Sequence, residues 1–373
     1  MLLKKNKKNL RSLFSVFAVL GLALIALWWG ANNSTINAQA VRGTLNDFSG
    51  EGRTDFTTLV LEEDAPIIWN IVVNPVNPLP NQGVIRRFAF GIFGDGQNFG
   101  DIIVPKDYVG DRKTEIAVYR DTNSVYYLAQ FPAASNTGIT LDRAVPYGNF
   151  ATDFPGAEGD YDGDGKDDYT LVRFINDTAN WLILSSGTNT FKQIPFGRFA
   201  APGSGFTGTA IFQGADFTGD GRDELVFVTR NSEVPRTVNY YIGDSNTGAG
   251  VITKSFGNFN ADFSVTPADY TGDGRADFVA VRQNQGAAQI WYINNSVTNV
   301  TTATAFGVSD PSFNGSGDTP VRGDYDGDRR HDIAVYRPGN RTFYYISSAN
   351  NGSFQNQEAG LQGEVPLGSF GLY

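Results

Sequence analysis

The chain contains six in-phase copies of a nine-residue acidic segment, and this repetition constrains its fold more than any other feature. The copies begin at Asp47, Asp107, Asp160, Asp216, Asp269 and Asp324, at separations of 60, 53, 56, 53 and 55 residues. We call them loops 1 to 6, and they cover residues 47–55, 107–115, 160–168, 216–224, 269–277 and 324–332. A period of this size is typical of a propeller or a solenoid.

The content of one repeat favours the propeller. Residues 263–270 lead into loop 5, 276–282 leave it as an alternating strand, and 288–293 and 302–306 supply two further strands. Four short strands separated by turns make one blade. We therefore predict an all-β, six-bladed β-propeller with an acidic loop between the first and second strands of each blade. A seventh blade would need strands that we do not find, and the sixth repeat is predicted to finish its fourth strand near residues 365–368.

The first forty residues are predicted to be a signal peptide. Lys4, Lys5, Lys7, Lys8 and Arg11 precede an apolar run over 13–29, and Ala38-Gln39-Ala40 follows. This order is typical of a secretory leader cleaved before Val41. The alternative is an uncleaved membrane anchor, because the apolar run approaches the ~20 residues of a spanning helix. Either way, residues 41–373 are expected to be exported, to the medium, the cell surface or the periplasm.

The negative net charge of the chain argues against nucleic acid and anionic membranes as partners. The leader holds five of the 29 basic residues and no acidic one, so the mature chain keeps 24 basic and 39 acidic residues, a net charge of −15. Such a surface repels nucleic acid and anionic membranes and attracts cations. Membrane contact is expected only through an uncleaved leader. The chain has no cysteine, so disulfides are excluded.

A Phe-Gly pair recurs at the end of the repeat. It appears as Phe90-Gly91, Phe196-Gly197, Phe256-Gly257 and Phe306-Gly307, with Tyr147-Gly148 and Leu367-Gly368 as variants. With the six acidic loops, these pairs make residues 41–373 resemble the FG-GAP/VCBS repeat family, the propeller repeat also found in integrin α-subunits. The resemblance implies a bacterial exported member of that family.

The loops are predicted to bind Ca²⁺. Oxygen ligands at positions 1, 3, 5 and 9, with the carbonyl of position 7, suit a hard cation that takes six to eight oxygens, and glycine at position 6 permits a sharp turn. Mg²⁺ fits less well, because it retains water and requires a strict octahedron. The alternative is that these segments are only acidic turns, since Asp and Gly favour turns. The predicted ligands of the three best loops are Asp160, Asp162, Asp164, Lys166 and Asp168; Asp216, Thr218, Asp220, Arg222 and Glu224; and Asp269, Thr271, Asp273, Arg275 and Asp277.

The other three loops depart from this pattern. Loop 1 offers Asp47, Ser49, Glu51 and Asp55 and is retained as a candidate. Loop 6 keeps Asp324, Asp326, Asp328 and Asp332, but Arg329 replaces the turn glycine, so binding there is left open. Loop 2 has Val109 at position 3 and Arg112 at position 6, and we expect no calcium there.

Two further repeated features each have two interpretations. An arginine lies thirteen residues after the first loop Asp in four repeats (Arg120, Arg173, Arg282, Arg337). These arginines either form a ring that binds an anionic sugar, or each packs on a neighbouring aromatic residue or caps a turn between blades. Third-strand aromatics, among them Trp181 and Trp291, are either sugar-stacking platforms or inter-blade core. In both cases we favour the structural interpretation.

The function predicted from these features is non-enzymatic: an extracellular, calcium-stabilised propeller, expected to be a monomer, that binds a protein or a glycan in adhesion. The alternatives are a lectin and a carbohydrate-active lyase or hydrolase. The only histidine, His331, leaves little room for Ser-His catalysis or His-ligated zinc. We find no polar cluster that breaks the repeat symmetry as a catalytic site would. The least symmetric segments are 75–81 and 200–208.

Overall fold

The computed structural model describes residues 42–74, 84–94, 100–132, 139–198, 210–230, 237–258, 262–284, 286–309, 317–350 and 352–368. All of these lie in one compact unit, Ala40–Tyr373. The predicted leader, the segment 75–81 and the segment 200–208 lie outside the described residues. Within the described ranges, no helix is long and apolar enough to cross a membrane.

The fold is all-β, with six sheets of four antiparallel strands arranged as the blades of a propeller. This confirms the predicted six-bladed architecture. Blade 1 contains β1 (Phe56–Val60), β2 (Pro66–Val72) and β3 (Ile85–Ile92), and blade 2 contains β4 (Ile102–Ile103), β5 (Ile116–Arg120), β6 (Val125–Ala129) and β7 (Leu141–Pro146). Blade 3 contains β8 (Asp153–Phe154), β9 (Tyr169–Ile175), β10 (Thr178–Leu184) and β11 (Phe191–Arg198).

The remaining blades follow the same plan. Blade 4 contains β12 (Ala210–Ala215), β13 (Glu224–Arg230), β14 (Thr237–Gly243) and β15 (Gly250–Asn258), and blade 5 contains β16 (Asp262–Ala268), β17 (Asp277–Arg282), β18 (Ala288–Asn294) and β19 (Thr301–Val308). Blade 6 contains β20 (Thr319–Val321), β21 (Ile333–Arg337), β22 (Thr342–Ser347) and β23 (Ser353–Glu358), and β24 (Val365–Pro366) ends the series. Loops 2 to 6 each connect the first and second strands of their blade, as predicted.

Burial explains why the strands differ in sequence. Second strands such as β17 are buried along almost their whole length, because blades cover both of their faces. Fourth strands such as β19 alternate between exposed and half-buried residues, because they form the outer edge. Trp181 and Trp291 of the third strands are fully buried. Both contribute to hydrophobic clusters, so they are core residues and not sugar platforms.

The ring closes through a shared blade. β24 pairs antiparallel with β1, with Thr58 opposite Pro366 and Leu59 opposite Val365, and so supplies the first strand of blade 1. The sequence-based prediction that residues 365–368 finish the fourth strand of the sixth repeat was therefore wrong, since β23 fills that place. The first repeat begins at its acidic loop without a first strand of its own, so the free edge of β1 pairs with the C-terminal strand.

A buried carboxylate fixes this junction. Glu364 accepts hydrogen bonds from Thr58 Oγ1 at 2.6 Å and Asn70 Nδ2 at 3.2 Å, and it pairs with Arg87 at 2.6 Å. Burial alone would raise the pKa of Glu364, but the bonds from Thr58 and Arg87 outweigh it and hold the pKa below its ordinary value. The ring is therefore closed by the Arg87–Glu364 ion pair as well as by the pairing of β1 with β24.

Removing the closing strand should abolish the cooperative fold. A chain that ends at Gly360 lacks Glu364 and β24, so Thr58, Asn70 and the edge of β1 lose their partners. We expect no cooperative thermal transition by circular dichroism. A matched chain that ends at Gly368 keeps the junction and should melt as the full chain does. A cooperative melt of the shorter chain near the full-length temperature would contradict closure by β24.

Candidate functional site

The first aspartate of each loop organises the loop backbone. In loop 3, Asp160 Oδ1 accepts the N–H of Gly163 at 2.7 Å and Oδ2 accepts the N–H of Gly165 at 2.9 Å. Amides at positions 4 and 6 bond the position-1 carboxylate in the same way in all six loops. Each loop is thus wrapped around its own first carboxylate.

Arginine at position 6 does not disturb this wrapping. Arg112 and Arg329 adopt φ of 67° and 71°, the left-handed region that glycine normally fills. Their amides donate to Asp107 and Asp324 at 2.8 and 2.7 Å. The loss of the turn glycine, which we used as an argument against calcium in loops 2 and 6, therefore leaves the loop conformation intact.

The acid at position 9 joins the loop to the hairpin turn that follows the third strand. Asp168 accepts the N–H of Tyr161 at 3.1 Å and the N–H of Ser186, in the turn after β10, at 3.0 Å. That turn also reaches position 3, since Ser185 Oγ donates to Asp162 at 2.7 Å. Ser347 and Ser348 bond to Asp326 and Asp332 in the same way in loop 6. Sequence reasoning missed these turn residues because they lie about twenty positions from the loop.

Three loops bring three carboxylates to within 4.8 Å of one another, which is close enough to share a metal ion. The groups are Asp107, Asp111 and Glu115; Asp160, Asp162 and Asp168; and Asp324, Asp326 and Asp332. The structure thus unites three of the predicted ligands of loop 3, while Asp164 lies outside the group. It also groups the acids of loop 2, where the sequence predicts no calcium. The sequence feature that could have indicated this group is the presence of acids at positions 1, 5 and 9.

Loops 1, 4 and 5 form no such group among the described residues. A hydroxyl stands at position 3 in each, and it donates to the position-9 acid: Ser49 to Asp55 at 3.3 Å, Thr218 to Glu224 at 3.0 Å and Thr271 to Asp277 at 3.4 Å. The position-5 acids of loops 4 and 5 have other partners, because Asp220 pairs with Arg222 and Asp273 accepts from Asn295. The predicted ligands are present in these loops, but fewer carboxylates converge.

Burial raises the pKa of the acids at positions 1 and 9 of the loops. It raises the pKa of Asp168 and Glu115 to about 8 and that of Asp160 and Asp332 to about 7. Neighbouring carboxylates add to the effect, as Asp162 does for Asp168. A bound cation would offset both penalties. Grouped, buried carboxylate oxygens are the donors that Ca²⁺ prefers, so the residues of loops 2, 3 and 6 fit that ion.

The six loops are joined to one another in a closed circle. The backbone N–H at position 8 of each loop donates to the carbonyl of the first Asp of the preceding loop, at 2.7 or 2.8 Å. The donors are Thr54, Thr114, Asp167, Asp223, Ala276 and His331, and the acceptors are Asp324, Asp47, Asp107, Asp160, Asp216 and Asp269. We call this circle the loop ring. A cation held in one loop therefore also fixes its two neighbours.

Each repeated arginine pairs with an aspartate at the start of its own blade, and that aspartate also accepts an amide from the preceding blade. Arg337 of β21 makes two bonds to Asp318, at 2.7 and 2.8 Å, and stacks on Tyr344. Asp318 also accepts the N–H of Val308 from the neighbouring blade at 2.8 Å. Arg120, Arg173 and Arg282 pair with Asp101, Asp153 and Asp262 in the same manner. These contacts agree with the inter-blade interpretation and not with an open anion-binding ring.

The Phe-Gly pair positions the backbone amide that bonds to the aspartate of the next blade. Gly307, immediately before Val308, has φ of 89°, and a Cβ there would lie 2.8 Å from Gln289 Oε1 and 3.0 Å from Val335. Only glycine fits this left-handed position without strain. The turn presents the amide of Val308 to Asp318, so the pair ends one blade and bonds it to the next.

Breaking one such link should destabilise the fold. Arg337→Met leaves the buried carboxylate of Asp318 without its cation, and we expect a loss of roughly 2 kcal/mol or more in the free energy of unfolding. Arg341→Met breaks an exposed pair with Glu358 and should change stability by less than about 1 kcal/mol. Urea unfolding of both variants gives the comparison. Equal small losses would show that the link contributes little.

The loop acids also predict an inverted pH dependence in chelator. In the fold the pKa of Asp160 is about 7 and that of Asp168 about 8, against an ordinary 3.8. Between these values the native state binds more protons than the unfolded state, so stability falls as pH rises from about 5 to 8. Melting temperatures across that range in EDTA should decline. A rise across the same range would contradict the raised pKa values.

One comparison, with family models, supports the repeat. A model of the FG-GAP-like repeat matches residues 160–227 and 216–280. Among solved structures, a protein from Lactobacillus plantarum is 11% identical with a TM-score of 0.35, and the alignment covers 81% of this chain and 85% of that one. A putative 6-phosphogluconolactonase from Bacteroides fragilis is 12% identical with a TM-score of 0.30, covering 85% and 96%. No curated protein matches the chain in sequence.

Proposed function

Because this chain is a six-bladed propeller of FG-GAP-like repeats, we propose that it is an exported, non-enzymatic binding module whose ring is stabilised by Ca²⁺. The observation that carries the proposal is the convergence of three carboxylates, two of them buried, in each of loops 2, 3 and 6. These groups lie in the loop ring, where a cation stabilises contacts between blades. The mature net charge of −15 is consistent with a role outside the cell, where calcium is abundant.

The residues that would hold the ion in loop 3 are Asp160, Asp162 and Asp168, with the carbonyl of Lys166 as a further oxygen. Loops 2 and 6 would use Asp107, Asp111 and Glu115, and Asp324, Asp326 and Asp332. Asp160 keeps both of its amide bonds in this role, since a carboxylate oxygen has two lone pairs. When calcium is present at 100 times its dissociation constant, each site adds about 2.7 kcal/mol to the stability of the fold.

We favour a binding role over catalysis because the buried acids are already bonded to backbone amides or arginines. The first and ninth loop carboxylates accept backbone amides, and the carboxylates before the first strands pair with the repeated arginines. A glycosidase needs a pair of carboxyl groups free to act on the substrate. We therefore propose that the rigid ring presents its surface to an extracellular protein or glycan in adhesion.

Calcium should raise the melting temperature of the chain. We expect a large increase from EDTA to millimolar Ca²⁺, with a smaller one in Mg²⁺, because Mg²⁺ retains its waters. Calcium should also remove the decline in stability with rising pH, since it favours ionised carboxylates. Differential scanning calorimetry at pH 5 to 8 in the three conditions checks this. Identical melts in all of them would overturn the metal role.

Single loop variants locate the sites. Asp162→Asn and Asp111→Asn should lower the melting temperature in calcium but change it little in EDTA, because each removes one ligand from a convergent group. Asp142→Asn, an exposed acid on β7, removes the same charge outside the loops and serves as the control. If Asp111→Asn behaves like the control, loop 2 holds no calcium.

The binding role is tested separately with glycan and surface-protein arrays in calcium. Saturable binding without change to the ligand is expected. Cleavage or elimination of a bound polysaccharide would replace the proposal with the enzyme alternative.

A further inference from the structure

One polar cluster breaks the six-fold repetition, contrary to the sequence-based prediction that none does. It is built on position 8 of the loops, which holds Thr54, Thr114, Asp167, Asp223, Ala276 and His331 in turn. Aspartate occurs there only in loops 3 and 4. Since the position-8 amides form the loop ring, these two extra carboxylates lie at the ring itself.

Arg42, a residue from outside the repeats, pairs with both carboxylates, and Lys106 Nζ lies 3.7 Å from Asp167 Oδ1 as a second cation. Arg42 Nη1 bonds Asp223 Oδ1 at 2.6 Å and Nη2 bonds Oδ2 at 2.9 Å, a bidentate pair. Nη2 also lies 3.4 Å from Asp167 Oδ1, and Nε lies 4.0 Å from Asp160. The side chain of Asp223 is only 3% exposed. The three acids raise the pKa of Arg42 against the effect of its own burial, so the guanidinium stays charged.

This contact links the segment before loop 1 to loops 3 and 4, on the end of the propeller that carries the loops, which we call the loop face. Arg42 lies five residues before loop 1 of blade 1, and its partners belong to blades 3 and 4. Gly43 passes close to loop 2, where an added Cβ would lie 3.1 Å from Cα of Arg112. Residues 42–46 span at most about 17 Å when extended, and within that length they link loop 1 to loops 3 and 4.

We propose that Asp167 and Asp223 form an axial guanidinium site whose resident group is Arg42, and that residues 42–46 are a strap that closes the loop face of the propeller. The strap ties the N-terminal segment to the far side of the ring. It also supplies the positive charge that the buried Asp223 requires, because an unpaired carboxylate there would carry its full desolvation penalty. The site does not require calcium, but Arg42 Nε lies 4.0 Å from Asp160, a proposed calcium ligand, so the strap is tested in EDTA.

Trypsin tests the strap directly, because it cleaves after Arg42 only when that side chain is free. In the full chain, the Arg42–Gly43 bond should resist cleavage. Asp223→Asn keeps an oxygen for the amide of Asp160 but removes the charge, and cleavage after Arg42 should accelerate about tenfold or more. Asp142→Asn is the control and should leave the rate unchanged. Mass spectrometry identifies the new N-terminus at Gly43. Equally fast cleavage in the unaltered chain, or no acceleration in Asp223→Asn, would overturn the proposal.

A thermal double-mutant cycle gives a second readout that distinguishes a specific pair from general destabilisation. Arg42→Met and Asp223→Asn should each lower the melting temperature in EDTA, and the double variant should lose clearly less than the sum of the two. Additive losses would mean that the two residues act separately, and the strap would be rejected.

Discussion

The loop ring is the interaction on which the rest of the structure depends. Six backbone hydrogen bonds join the position-8 amide of one loop to the first carbonyl of the preceding loop, and the last of them, from Thr54 to Asp324, closes the circle. Each loop is wrapped around its own first carboxylate, so the ring places a circle of buried acids at one end of the propeller. The blades are linked a second time by aspartates such as Asp318, which pairs with Arg337 of its own blade and accepts the amide of Val308 from the preceding one.

The same arrangement explains why calcium and fold are linked in the proposed function. Burial raises the pKa of the first and ninth acids of the loops, such as Asp160, Asp168 and Asp332, so the ring by itself shifts these acids toward their neutral forms. A cation reverses this preference and rigidifies the contacts between blades at the same time. The strap uses a guanidinium for the same purpose at Asp223. In the proposed function, the charge of these acids is therefore balanced by two kinds of cation, calcium in the loops and Arg42 at Asp223.

The sequence predicted the repetitive part of this structure well and the non-repetitive part poorly. Six loops at a fixed period predicted six blades, and the fully buried Trp181 and Trp291 were correctly interpreted as core. In loop 2, Val109 and Arg112 break the sequence pattern, yet the structure groups the acids at positions 1, 5 and 9. Arg112 adopts the left-handed φ that the pattern assigns to glycine. Ring closure by β24, the partners of the repeated arginines and the contact of Arg42 with Asp223 join residues far apart in the chain, and no local pattern encodes them.

The most direct test of the loop ring is native-state hydrogen exchange at its six amides, measured in calcium. If the ring is a single closed unit, the amides of Thr54, Thr114, Asp167, Asp223, Ala276 and His331 exchange only through global unfolding and report the same opening free energy. If one or more of them exchange by local opening, orders of magnitude faster than the others, the ring is not closed and the blades are held by their hydrophobic clusters and paired side chains.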